Sequence, residues 1–134
     1  MPKRQLLDAF RDEEKSCLFA TRGFFQGVDV PGDSLRLVVI DKVPFPQIGD
    51  PLLEARREDA GAAAFTSIDV PIASATLAQA AGRLIRTASD HGVVAVLDPR
   101  LATKGYKSAV LAGVAHMPET SSLRDVERFY DKRR

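Results

Sequence analysis

Apolar positions along this chain follow two different rhythms. Leu6, Leu7 and Phe10 are set among charges over residues 3–14, which predicts a short amphipathic helix. Ser16-Cys17-Leu18-Phe19-Ala20-Thr21 is a compact apolar run and predicts a buried strand, with Cys17 inert inside it. Residues 22–33, dense in Gly, Pro and Asp, predict a loop. Leu35-Arg36-Leu37-Val38-Val39-Ile40-Asp41 is β-branched and almost wholly apolar, the pattern of a parallel strand buried on both faces. Pro44, Pro46 and Gly49 stop any element between Lys42 and Asp50. Asp50 as cap and Pro51 at the first position predict a helix over residues 50–60. Gly61 to Pro71 reads as loop, and Ile72 to Ala88 as a longer helix. Val93 to Leu97 predicts a third strand, Pro99 starts a helical turn, and residues 105–114 and 121–132 read as helices, the last highly charged.

Strands alternating with helices predict an α/β fold with a mainly parallel sheet and right-handed crossovers. Such sheets usually hold more than three strands, and the chain opens on a helix that would normally return from an earlier strand. The expectation is a domain incomplete at its N-terminal side, spanning residues 1–134 as one unit. No internal repeat, low-complexity tract or linker interrupts it.

Composition narrows the chemistry. Nineteen Lys and Arg against eighteen Asp and Glu give a formal charge of +1, which excludes a generally basic coat but not a local basic groove. A single cysteine, Cys17, excludes an internal disulfide framework, a four-cysteine zinc site and a complete iron–sulfur ligand set in this chain. The apolar runs are too short to span a membrane, and Met1-Pro2-Lys3-Arg4-Gln5 has no apolar signal region, so a cytoplasmic location is expected. His91 and His116 have no Asp, Ser or metal-type partner at a useful spacing, so neither is assigned chemistry and no metal site is expected.

The helix over residues 72–88 carries a polar stripe. At about 100° per residue, Gln79, Arg83 and Arg86 fall within an arc of roughly 60°, opposite Leu77, Ala81, Leu84, Ile85 and Ala88. Asp90 would join the stripe if the helix reached it. Two arginines one turn apart behind an amide form a rigid cationic comb suited to a phosphoryl group or a carboxylate. Gly82 beside the stripe costs about 1 kcal/mol relative to Ala in mid-helix, which makes sense where something approaches the backbone. Spacing alone does not separate such a comb from an ordinary solvated face.

Several segments together resemble a known family. Phe24-Phe25-Gln26-Gly27-Val28-Asp29-Val30-Pro31-Gly32 resembles the F-W-E-G-V-D-x-P-G segment of the second motor lobe of DinG/XPD-like superfamily 2 DNA helicases. Gln79-Ala80-Ala81-Gly82-Arg83-Leu84-Ile85-Arg86 matches their Q-x-x-G-R-x-x-R motif. Lys42-Val43-Pro44-Phe45-Pro46 with Asp50-Pro51-Leu52 is similar to K-L-P-F-x…D-P, while Asp90-His91-Gly92 and Asp98-Pro99-Arg100 resemble D-x-G and D-x-R. Tyr106 falls where a tyrosine is usual. The segments keep their order from about residue 5 to residue 118. Phe25-Gln26 stands where the family has Trp-Glu, and the chain has neither a G-x-x-x-x-G-K-[ST] phosphate loop nor a D-E-A-H-type acidic motif, both of which lie in the first lobe.

The resemblance implies a RecA-like three-layer domain that works as one lobe of a two-lobe motor. ATP and Mg²⁺ would be bound mainly by the absent first lobe, either part of the same full-length chain or a separate subunit. By motif match Arg83 and Arg86 would reach the ATP γ-phosphate as catalytic residues, with Gln79, Gly27 and Asp29 as nucleotide-binding residues. Thr21 and Arg22, at the end of the first predicted strand, would contact single-stranded DNA phosphates. The implied activity is that of an ATP-dependent DNA helicase in repair or replication, with the isolated chain inactive as an ATPase. The alternative is a stand-alone nucleic-acid- or helicase-binding module without ATPase activity. A small phosphatase of flavodoxin-like shape would need a nucleophile or phosphate loop, and neither is found. Phe24, Phe25 and Phe45 fit core or lobe-interface packing and also base stacking, and the Arg124–Arg134 run fits a solvated helix face or a DNA-facing tail.

Overall fold

The sheet forms where two of the predicted runs meet. In a computed structural model that describes residues 2–25, 35–85 and 87–133, β1 (Leu37–Ile40) pairs in parallel with β2 (Val93–Val96). The register sets Leu37 opposite Val93 and Ile40 opposite Val96. Arg36 and Ile40 carbonyls extend the ladder by accepting the Val93 and Leu97 N–H groups at 3.0 and 2.8 Å. The two-residue period of a strand then divides the side chains. Val38 is buried, and Ile40, Val94 and Val96 pack against the core. Leu37 and Val39, on the other side, stay half exposed. The expected burial of this strand on both faces is therefore met on one face only, because no described element covers the second.

Asp50 caps α3 (Pro51–Ala60), its Oδ1 accepting the Leu52 and Leu53 N–H groups at 2.9 and 3.1 Å, as the Asp-Pro signal predicts. The expected loop over residues 61–71 is instead helical. Gly61 ends α3 at φ +59°, a 3₁₀ turn (Gly61–Ala63) follows, and a π-helical stretch (Phe65–Asp69) runs straight into α4 (Val70–Leu84). Pro71 does not break this path, since the first turn of a helix has no use for its missing N–H. Asp69 joins the stretch to α3 through Arg57 Nη2 at 3.0 Å.

Helix α4 supplies the centre of the core. Ala73, Leu77, Ala81 and Leu84 line its buried face, with Leu77 only 1% exposed, and Val43, Leu101 and Val110 close around it. The remaining described elements are α1 (Lys3–Asp12), α2 (Arg22–Phe25), α5 (Arg100–Thr103), α6 (Lys107–Leu111), a 3₁₀ turn (Ala112–Val114) and α7 (Leu123–Asp131). A Cβ on Gly113 would sit 2.7 Å from the Ser74 carbonyl, and one on Gly92 would sit 2.6 Å from both the Arg36 carbonyl and Leu84 Cδ1. Glycine at these two positions lets the chain after α6 and the chain before β2 close onto α4.

Two other expectations are corrected. Ser16–Thr21 forms no strand: Ser16 Oγ donates to the Phe10 and Glu13 carbonyls at 3.2 and 2.8 Å, tying the segment to the end of α1, and Phe19 is 93% exposed. Cys17 is accordingly exposed, not buried. An apolar run becomes a strand only where a paired edge and a covered face receive it, and the described residues offer this segment neither. The long helix also stops four residues early, at Leu84, with Ile85 extended at φ −117° and ψ 106°. Asp90 does not join the polar stripe. Its Oδ2 accepts the Thr87 N–H at 2.8 Å and its own N–H donates to the Thr87 carbonyl at 3.2 Å, so a short turn replaces the last helical turn.

Candidate nucleotide and nucleic-acid interface

The face of α4 turned from the core carries Thr76, Gln79 and Arg83, spaced so that they share one stripe about 10 Å long. Gln79 is exposed and Arg83 partly buried. The space over Gly82 beside them is open: a Cβ there would meet no atom within 4 Å. Among the described residues, no packing contact requires this glycine. Arg86 lies outside the described residues, and α4 ends before it, at Leu84. Gly27 and Asp29 also lie outside the described residues.

Arg22 connects its own segment to this stripe. It opens α2, whose turn is closed by the Phe24 N–H donating to the Thr21 carbonyl at 2.9 Å. Its Nη2 donates to Thr76 Oγ1 at 3.1 Å and its Nη1 to the Phe45 carbonyl at 3.3 Å. Thr76 can accept because its own hydroxyl proton is given to the Ile72 carbonyl at 2.8 Å. Both acceptors of Arg22 are neutral, so these bonds orient the guanidinium without cancelling its charge. The structure thus joins Arg22, through Thr76 fifty-four positions away, to the helix that carries Gln79 and Arg83. Thr21, immediately before Arg22, is exposed.

A second construction holds Phe45 in place. Asp98, buried just beyond β2, accepts the Val43 N–H at 2.9 Å and the Arg100 N–H at 3.0 Å. The Arg100 side chain adds a bidentate contact, with Nε at 2.9 Å from Oδ1 and Nη2 at 2.6 Å from Oδ2. The hydrogen bonds from the Arg100 side chain, helped by the Val43 N–H, hold the Asp98 carboxyl well below the usual carboxylate range, against the opposing effect of burial. The chain after β1 is thereby fixed to the chain after β2. Arg100 also lies over the Phe45 ring, 5.5 Å from its centroid.

A profile of the helicase C-terminal domain matches residues 1–117. The chain belongs to that family. The DinG-like branch of this helicase C-terminal domain is shown by its relatives. It is 44% identical over 130 residues to a protein named ATP-dependent DNA helicase YoaA from Escherichia coli (strain K12), covering 95% of this chain and 20% of that protein. It is 42% identical over 124 residues to ATP-dependent helicase DinG from Mycobacterium tuberculosis (strain ATCC 25618 / H37Rv), covering 90% of this chain and 19% of that one. A protein named 3'-5' exonuclease DinG from Bacillus subtilis (strain 168) is 38% identical over 105 residues, 76% of this chain and 11% of its own. This chain therefore spans only about a fifth of the length of the first relatives. Its small parallel sheet and surrounding helices agree with the RecA-like α/β class that the resemblance implied.

Among the described residues of the helicase C-terminal domain, no three His, Cys, Asp or Glu side chains come together to hold a metal ion. No described helix is long and apolar enough to cross a membrane. Sequence reasoning missed Thr76, which reads as an ordinary helix residue until Arg22 is placed on it. It also named Asp98 and Arg100 without a role. The one signal available was the Asp-Pro-Arg spelling, but the Val43 N–H that completes the clamp is fifty-five residues away.

The Asp98 clamp makes a pH prediction. A carboxyl whose folded pKa is depressed contributes stability above its unfolded value, about 3.9, and loses that contribution as pH falls further. The stability gap between the native chain and Asp98→Asn, measured by urea unfolding, is expected to be full at pH 7. It should narrow progressively below about pH 4. A gap that widened on acidification would show that the carboxylate is not stabilised in the fold.

Proposed function

We propose that this helicase C-terminal domain serves as the second motor lobe of an ATP-dependent DNA helicase. In this reading α4 faces a cleft shared with a first lobe that holds most of the ATP and Mg²⁺. Arg83 and Arg86 supply positive charge to the γ-phosphate, while Gln79, Gly27 and Asp29 help hold the nucleotide. Thr21 and Arg22 contact the phosphates of single-stranded DNA, which positions the strand without reading its sequence. The observation that carries the reading is the Arg22–Thr76 hydrogen bond. It ties the residue expected to meet DNA to the helix that carries Gln79 and Arg83, two of the residues expected to meet ATP. Closure of the lobes on nucleotide would then be felt directly at the strand.

The test is equilibrium binding of a fluorescent oligothymidine to the chain across about 50 to 200 mM salt. The logarithm of affinity is expected to fall linearly with the logarithm of salt, and Arg22→Ala is expected to lower that slope by about one. No binding at the low-salt end, or an unchanged slope in Arg22→Ala, would remove Arg22 from the DNA contact.

A further inference from the structure

The rings of Phe45, Phe65 and Tyr106 form a closed triangle. Centroids lie 5.3 Å apart for Phe45–Phe65 and 5.4 Å for each of the pairs with Tyr106, and both Tyr106 pairs are edge-on. Such contacts lock each ring by its neighbours. Three separate elements supply them: the chain after β1, the start of the π-helical stretch, and the turn before α6. The Phe45 ring is fixed through its backbone, since Val43 is held by Asp98 and the Phe45 carbonyl by Arg22. The outermost ring is not sealed in. Phe65 is 40% exposed, although a ring serving only the core would gain by burial.

Two guanidinium groups flank this triangle. Arg100 lies over Phe45, held in orientation by Asp98, and its side chain is 44% exposed. Arg22 reaches the Phe45 carbonyl, and among the described residues its acceptors, that carbonyl and Thr76 Oγ1, are neutral. Cations beside rigid, partly open rings are the combination by which proteins bind single strands without sequence preference: charge follows the phosphates, and bases stack on the rings. Phe65 also opens the π-helical stretch, an uncommon backbone form frequent at functional sites.

We infer that Phe65, backed by Phe45 and Tyr106, is a base-stacking platform for single-stranded DNA, beside the phosphate contact at Arg22. The inference rests on the reading of this lobe as a DNA surface and adds to it the residue that meets the bases. Stacking on Phe65 would place a strand's base over the triangle and its phosphate towards Arg22. A strand drawn along α4 by lobe closure would then be gripped at both its charged and its flat parts.

The experiment compares two fluorescent 20-mers with the full chain, one of oligothymidine and one with the same phosphates but abasic sugars. Phe65→Leu keeps an apolar side chain and removes the ring. It is expected to weaken oligothymidine binding by about 5- to 150-fold, the range given by removing one base–aromatic stack, and to leave abasic binding unchanged. Phe65→Trp should restore the thymidine preference, and Arg22→Ala should weaken both ligands alike. An equal loss of both ligands in Phe65→Leu would mean that the ring only supports the fold, and no loss of either would mean that it meets no base. Both results overturn the inference while leaving the Arg22 contact standing. A native chain that binds neither 20-mer overturns the DNA reading itself and the platform with it. Displacement of oligothymidine by an equal nucleotide concentration of thymidine monophosphate would overturn the assignment to a strand.

Discussion

Arg83→Ala, placed in a two-lobe motor that carries this chain as its second lobe, is expected to lower ATP turnover by about 10²- to 10³-fold with single-strand affinity unchanged. The expectation follows from the proposed role of the guanidinium. Charge grows on the γ-phosphoryl oxygens as the transition state forms, and a preoriented donor is worth most at that moment. Arg83 is suited to such preorientation. It sits on the last turn of α4, the helix whose opposite face carries Leu77, Ala81 and Leu84 into the core. Arg83→Lys should recover little, because an ammonium cannot offer the planar fork that grips two oxygens. Steady-state turnover with saturating DNA, read beside strand affinity, separates the possibilities. Unchanged turnover with lost DNA affinity would move Arg83 from the nucleotide to the strand.

Leu77→Ala is expected to destabilise the chain by about 2–5 kcal/mol. Leu77 is among the largest side chains to be fully buried, at 1% exposure, and its neighbours come from every part of the core cluster: Val43 beyond β1, Val70 and Ala73 on its own helix, Leu101 on α5 and Val110 on α6. Elements held from several directions collapse poorly into a cavity, which favours the upper part of that range. Gln79→Ala, two residues away on the exposed face, is expected to stay within about 0.5 kcal/mol. The pair can be compared by urea midpoints at constant slope. Equal effects at the two positions would mean that α4 is not seated as described. The consequence reaches the site, since Thr76, Gln79 and Arg83 are placed only as firmly as the buried side of α4.

Local signals in the sequence located most elements because their causes are local. Asp50-Pro51 starts α3 through a side chain that reaches its own next turn, and the β-branched runs 37–40 and 93–96 become the paired strands. The order of the Phe24–Gly32, Lys42–Pro46, Gln79–Arg86 and Asp98–Arg100 segments was enough to identify the family. The stripe of Gln79 and Arg83 was legible too, since helical period alone opposes it to Leu77, Ala81 and Leu84.

The failures share a different cause. Ser16–Thr21 has the composition of a strand, but strand formation depends on an edge elsewhere in the chain, which composition cannot supply. The end of α4 was decided by a competition between helical turns and the Asp90 carboxylate, visible only once Thr87 and Asp90 are placed together. The site followed the same division. Sequence by itself determined the family, the alternation of elements and the polar side of α4, because these depend on residue type and spacing within a few turns. Only the tertiary structure set Arg22 on Thr76, bound Val43 to Asp98 and stacked Phe65 on Phe45 and Tyr106. Those contacts join segments separated by twenty to more than fifty residues, and their geometry comes from how the core packs between them.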